Sequence, residues 1–461
     1  MSARLLSFRK VIIVFLSWER VFTSVILTPP VSPSIPAMVT LKEELSIVRL
    51  FADAEVELLS SGSLGKFGDL LSGALSSFPA DHLLSRRFQD LKNLKDHYHP
   101  ENLRRYRDRW GFGGVEIWRN AQGLTFYQIR IRSFPNHDTL CYLYLDPEPT
   151  LFDVGSHLPS TSEDWEARTR VLNEVFGISG FPEILRHLVI THGHVDHYGF
   201  LPRALKAYRP QIYLHSLDAR VLENFDERIV MAKEDMRHFF LRSGMSREDV
   251  DRVLQFYLAE REYFPNIPVD VRLRDRSTLP GGGEVIHTPG HCPGLICIRF
   301  GDILFSTDLV LGHVTPHLSP QALHPFFGLE NFIISLYRIA SLAGIRLALP
   351  CHGPPIFDLN QRIQEILTFH QQRLERLLDL CEKPRTVTEL SQELFGERKG
   401  YEVILAIEEC AAHLEYLHHH GWVRVANLEE LLHRDDAPPR YVVHQELKLR
   451  KKAPTLLPLN S

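Results

Sequence analysis

At 461 residues the chain exceeds one ordinary domain, and a 44% apolar composition lets it bury large cores. A formal net charge of −5 excludes a surface coated with cations for general phosphate-backbone binding. Cysteines at 141, 292, 297, 351, 381 and 410 are scattered without a CxxC pair, the pattern of reduced thiols in a cytoplasmic protein rather than of a disulfide framework.

Arg4, Arg9 and Lys10 precede the apolar run Val11 to Leu16, which has the order of a signal peptide. Glu19 and Arg20 break the run and no small-residue cleavage site follows, so residues 1–37 read as a disordered or mis-started segment, with export as the alternative. The run is far too short to span a bilayer. Residues 38–112 read as a helical extension, with Leu45, Val48, Leu50, Phe51 and Val56 at helical spacing. The stretch Asn102 to Trp110 mixes arginine with aromatics as RNA contacts do, but it has the ordinary composition of a solvated helix face.

From Gly114 the hydrophobic period becomes two, and Val115–Trp118, Leu124–Ile131, Leu140–Leu145 and Leu151–Val154 read as successive strands. A helix is expected from an N-cap at Ser162 to Phe176, stopped by Gly177. The apolar run Leu185 to Ile190 then leads into Thr191-His192-Gly193-His194-Val195-Asp196-His197-Tyr198-Gly199. Three imidazoles and a carboxylate at a strand end are donors that zinc-like divalent ions prefer. The spacing lets His192 and His194 face one ion while Asp196 and His197 face a second. Residues 216–264 read as a helical insertion, with a capping box at Ser246–Asp249. Its Phe225, Ile229, Met236, Phe239 and Phe240 serve either core packing or a lid over the site.

Three later segments repeat the strand-then-ligand design. His291 follows a Pro-Gly turn, and it is preferred as a ligand to the framework position His287. Asp308 ends the strand Ile303–Thr307, where it either caps a turn or bridges two cations. His352 follows Ala348–Cys351, with Cys351 read as a small buried residue.

Asp153-Val154-Gly155, HGHVDH at 192–197, TPGH at 288–291, Asp308 and His352 together resemble the metallo-β-lactamase superfamily over residues 114–356. The resemblance implies an α/β fold, a four-layer αβ/βα sandwich, with the catalytic domain at 113–356. It also implies that His192, His194 and His291 hold a first metal and that Asp196, His197 and His352 hold a second. Asp308 would bridge the pair, Asp153 would orient a ligand imidazole, and Asp196 would also orient the attacking hydroxide. The cofactor expected is two divalent ions, zinc first, with manganese or iron as alternatives. Tyr198, His313 and His317 are candidate pocket residues, with structural histidines as the competing reading of the last two.

After His352, helices are expected at Asn360–Cys381, Thr386–Phe395 and Tyr401–His420, followed by a strand at Gly421–Val425. This order resembles a winged-helix-like domain within 357–440, before a basic tail at 441–461. The helix Tyr401–His420 carries Glu402, Glu408, Glu409 and Glu415 and no Lys or Arg, so it would repel phosphate. A capping domain beside the cleft is the preferred reading, and His418–His420 reads as an exposed helix end. No GxSxG elbow is present. Neither a glutathione-gripping basic segment nor a β-CASP domain follows the last ligand.

The function expected is a dinuclear hydrolase in which a hydroxide generated between the metals attacks an ester, thioester or related acyl bond of a small molecule. A metal-dependent endoribonuclease is the runner-up. A mononuclear iron sulfur dioxygenase and an idle scaffold both fit the full ligand set poorly. No nucleic-acid partner or membrane span is expected, and no feature specifies an oligomeric state.

Overall fold

The computed structural model describes residues 114–120, 123–259, 263–434, 436–444 and 456. The expected segments 1–37 and 38–112, and most of the basic tail, lie outside the described residues. No helix among the described residues is long and apolar enough to cross a membrane.

A seven-stranded sheet is built in chain order from β1 (Val115–Arg119), β2 (Thr125–Phe134), β3 (His137–Tyr144), β4 (Thr150–Phe152), β5 (His187–Val189), β6 (Gln211–His215) and β7 (Val271–Leu273). Its first four strands pair antiparallel as hairpins, while β4 through β7 run parallel. A second sheet has the order β11 (Leu347–Pro350), β10 (Ile303–Thr307), β9 (Ile296–Phe300) and β8 (Glu284–His287). Side chains of period two sort onto opposite faces of each strand. Phe126, Tyr142 and Phe152 of the first sheet therefore meet Phe300 and Phe305 of the second in a shared aromatic core. The alternate residues Ile129, Ile131, Cys141, Leu143 and Leu188 face α1 (Pro159–Glu174). On the far side, Ile286, Cys297, Leu304 and Ala348 face α7 (Leu329–Ala340) and α8 (Leu359–Leu380). The layers are helix, sheet, sheet, helix.

The first helix departs from the expected start. It begins at Pro159, whose fixed φ suits the first turn and which loses no hydrogen bond there, and Ser162 is buried inside it rather than capping it. The capping at Ser246 does occur, since its hydroxyl accepts from Asp249 N at 3.1 Å. Between α2 (Val195–Tyr198), α3 (Leu201–Ala204) and β7 lie α4 (Ala219–Glu223), α5 (Phe225–Ser243) and α6 (Arg247–Ala259). Phe225 and Ile229 of α5 enter the core under the first sheet, and Phe240 joins the core beyond the second. These three side chains pack rather than line a cleft.

Past α8, the chain forms α9 (Val387–Phe395), α10 (Tyr401–His419), β12 (Val423–Val425), α11 (Leu428–His433) and β13 (Tyr441–Val443), with β12 and β13 paired antiparallel. Thr386 and Glu389 close a capping box at the start of α9. Leu390, Ile407, Cys410 and Leu414 share one hydrophobic core with Leu304 and Ala348 of the second sheet. Apart from the exposed Glu402, the acidic residues of α10 do not form an outer face. Glu408 and Glu409 are buried, and Glu415 holds the backbone N–H groups of Gln321 and Ala322 at 2.6 and 3.0 Å.

Candidate metal centre

The donors named from the sequence arrive from the ends of β5, β10 and β11 and from the turn after β8. They meet in two adjoining, largely buried groups. His192 Nε2 lies 3.0 Å from His194 Nδ1, and His291 completes this three-histidine group. In the second, Asp196 Oδ2 lies 3.6 Å from His197 Nε2 and 3.4 Å from His352 Nε2. Asp308 Oδ2 joins them, at 3.8 and 3.6 Å from His192 and His291 Nε2 and at 3.5 and 3.3 Å from His197 and His352 Nε2.

Each of three imidazoles has its outer nitrogen fixed by an acceptor that cannot donate, so Nδ1 carries a proton and Nε2 points inward. His197 Nδ1 donates to Asp153 Oδ2 at 2.8 Å, His291 Nδ1 to the carbonyl of His317 at 2.6 Å, and His352 Nδ1 to the carbonyl of Asp138 at 2.7 Å. Asp153 itself accepts from Thr191 N and Oγ1, both at 2.8 Å. The loop of His352 is pinned to β3 because Leu140 N donates to Cys351 O at 2.7 Å and Tyr142 Oη to Pro350 O at 2.6 Å. Cys351 is buried, with its thiol 3.4 Å from Asp153 Oδ2. Thr307, a β-branched residue at φ 47°, turns the chain sharply so that Asp308 faces the donors.

The donors fit divalent cations. His197, His291 and His352 Nε2 and Asp308 Oδ1 are buried without a hydrogen-bond partner, and each such atom costs about 1–3 kcal/mol unless something satisfies it. Burial and neighbouring imidazoles hold His192 and His194 well below the ordinary histidine pKa, keeping their lone pairs free. Burial opposes ionisation of Asp308 and Asp196, but the surrounding imidazoles outweigh it and hold both carboxyls well below their usual range. Burial likewise opposes charge on His197, where the carboxylates of Asp196, Asp153 and Asp308 prevail and raise its pKa.

Two residues near the donors carry no sequence signal. His137, at the tip of the β2–β3 hairpin, places Nε2 3.1 Å from Asp196 Oδ2 and its ring 4.1 Å from that of His352. A cleft of about 460 Å³ flanks this hairpin, lined by Arg132, Phe134, Asn136, Asp138, Leu158 and Ser160. Asp218, buried after β6, accepts from Gly193 N and Gly294 N, each at 2.8 Å, and thereby ties together the two loops that carry His192, His194 and His291. Neither loop tolerates a side chain at these glycines. A Cβ on Gly294 would stand 2.5 Å from Asp218 Cγ, and one on Gly193 2.9 Å from Val221.

The expected pocket residues fare differently. Tyr198 is buried in the core beside Phe264, at a ring distance of 5.5 Å, because α2 turns it away from the donors. His313 is exposed and lies over Gly353, where a Cβ would be 2.7 Å from its ring. The His317 side chain is drawn to Glu408 and Glu409 instead of lining a wall. His287 stays outside the donor groups, as its framework reading requires. Its Nε2 donates to the Pro293 carbonyl at 2.8 Å, and its ring stacks on His215 at 4.1 Å.

Comparison with known proteins agrees with this geometry. A lactamase-like protein of Neosartorya fischeri is 25% identical over 260 residues, 55% of this chain and 60% of its own length. The chain thus spans under two thirds of that relative. An atrochrysone carboxyl ACP thioesterase of Aspergillus fumigatus is 31% identical over 97 residues, 21% of this chain and 28% of its own. A metallo-beta-lactamase family protein of Thermus thermophilus superposes with a TM-score of 0.56 at 28% identity, covering 69% of this chain and 98% of that one. The family profile described as the metallo-beta-lactamase superfamily matches residues 137–380, more than half of the sequence, and the chain belongs to that superfamily.

Proposed function

We propose that this protein is a dinuclear metal-dependent hydrolase acting on an ester, thioester or related acyl bond of a small molecule. The observation that carries it is the pair of donor groups joined through Asp308 Oδ2. In this reading His192, His194 and His291 would hold one ion, Asp196, His197 and His352 would hold the other, and Asp308 would be shared by both. Zinc suits the imidazole and carboxylate donors, with manganese and iron as alternatives. When bound, such a pair of cations supplies Lewis acidity and lowers the pKa of a shared water from 15.7 toward about 7.

The chain's own groups orient and exclude. Asp196 Oδ2 faces the donors, where it would orient an attacking water, while His137 Nε2, 3.1 Å from that carboxylate, holds its rotamer. The carbonyl of Asp196 is tethered by Thr139 Oγ1 at 3.0 Å. His192, His197, His291 and His352 are buried, which keeps bulk water from their imidazoles. An acyl rather than phosphodiester substrate is supported by the thioesterase named among the relatives. Six buried cysteines support a cytoplasmic location.

The test is metal analysis of the purified protein followed by a screen of acyl thioesters and esters against single-stranded RNA. About two ions per chain and thioester or ester cleavage lost in Asp196→Ala are expected. RNA cleavage lost in that variant, with no esterase activity, would overturn the acyl reading in favour of a ribonuclease.

A further inference from the structure

The His291 anchor is itself held from a distant part of the chain. The carbonyl that accepts from His291 Nδ1 belongs to His317, in a segment with no regular secondary structure of its own. That segment lies against α10 and donates to its glutamates. His317 Nε2 and Ser319 Oγ donate to Glu408 Oε2 at 3.0 and 2.8 Å, and Leu318 N donates to Glu409 Oε2 at 2.7 Å. Gln321 N and Ala322 N donate to Glu415. Positions 408 and 415 are two turns apart and so share a face of the helix. Glu409 is held in turn from behind. Arg373 of α8 pairs with Glu409, and His413 Nδ1 donates to the Glu409 carbonyl at 2.7 Å while its Nε2 lies 2.8 Å from His370 Nδ1.

The His370–Glu409–His413 cluster has the residue types of a metal site, but its arrangement is closed. Its facing nitrogens bond each other and a guanidinium occupies the carboxylate. Two adjacent buried carboxylates are an expensive way merely to pack a helix, since apolar residues of similar volume do this without desolvating charge.

We propose that Glu408 and Glu409 are positioning residues for His291, acting through the His317 carbonyl, so that the C-terminal helical layer sets the affinity of the three-histidine half of the metal centre. The inference rests on the dinuclear reading above. Loss of the carboxylates frees residues 317–319, the carbonyl leaves His291 Nδ1, and the imidazole loses the contact that fixes its tautomer and ring plane. The half formed by Asp196, His197 and His352 has separate anchors at Asp153 and Asp138 and does not depend on α10.

The experiment compares wild type, Glu408→Gln/Glu409→Gln and Thr386→Ala, which uncaps α9 without touching the 317–319 segment. Each protein is stripped and titrated with Co(II) and Zn(II) against a chelator, with visible absorption of the Co(II) form and melting of the metal-free form recorded. The double variant is expected to bind one of its two ions about ten- to a hundredfold more weakly, the usual effect of losing such a support, with an altered Co(II) spectrum. Thr386→Ala should melt lower yet keep both affinities. If the double variant does not fold, Glu408→Gln alone should show the same selective loss at smaller size. Unchanged affinities and spectrum, or equal weakening of both ions, would overturn this inference alone. A wild type that binds neither metal would overturn the dinuclear reading and this inference with it.

Discussion

Asp218→Ala offers the sharpest test of how the centre is assembled. Its carboxylate touches both the loop of His192 and His194 and the loop after His291. Truncation leaves the N–H groups of Gly193 and Gly294 buried without acceptors, at about 1–3 kcal/mol each. Water entering the space relieves part of this, leaving a destabilisation of about 2–4 kcal/mol. In a chain of this size about 2 °C accompanies each kcal/mol, so the melting temperature should fall by about 4–8 °C. Asp218→Asn should fall about half as far, because its amide oxygen can accept from one glycine while its NH₂ opposes the other. Calorimetry of the metal-free proteins reads the stability. Metal titration should show the three-histidine group weakened and the second group retained. An Asp218→Ala protein that melts with wild type and keeps both affinities would refute the clamp.

Other consequences are as direct. Asp308→Ala should lower metal content from about two ions per chain and reduce hydrolysis by more than about 100-fold, beyond the loss typical of an outer support; metal analysis and turnover check it. Asp153→Asn should weaken only the second ion, by about 10–100-fold, since an amide cannot accept as well from both His197 and Thr191. Stripping metals with a chelator should lower the melting temperature, because bound metal stabilises the folded state, and re-addition of zinc should restore it.

The His317 cluster gives a pH dependence. Burial opposes charge on His317, but hydrogen bonds to Glu408 and Glu409 outweigh it and raise its pKa to about 9. A raised histidine pKa means the folded state holds the proton more tightly than the unfolded one. Its contribution is therefore fully present below about 6.5 and is lost as pH rises through about 9, amounting to roughly 3 kcal/mol at most. Melting curves of the metal-free protein should show the difference between wild type and Glu408→Gln shrinking between about pH 6 and pH 10.

Local chemistry was enough to mark the donor residues. His192, His194, Asp196 and His197 stand within one short stretch of chain, and His291, Asp308 and His352 each follow a strand whose apolar period is plain, so their types and order could be read without coordinates. A run of strands followed by alternating helix and strand likewise announced a layered α/β fold. The positions of the supports could not be read this way. Asp218 looks like any loop aspartate, His137 like a turn residue, and Glu408 and Glu409 like the solvated face of a charged helix. Each acquires its role from a partner 25 to 91 residues away, and only folding brings those partners within hydrogen-bond reach. Tyr198 shows the converse, since its neighbours in sequence are candidate ligands yet the turn of α2 sends it into the core. Ligand identity is carried by residue type and spacing, which are local. The groups that aim those ligands are selected by distance in space, which belongs to the tertiary structure.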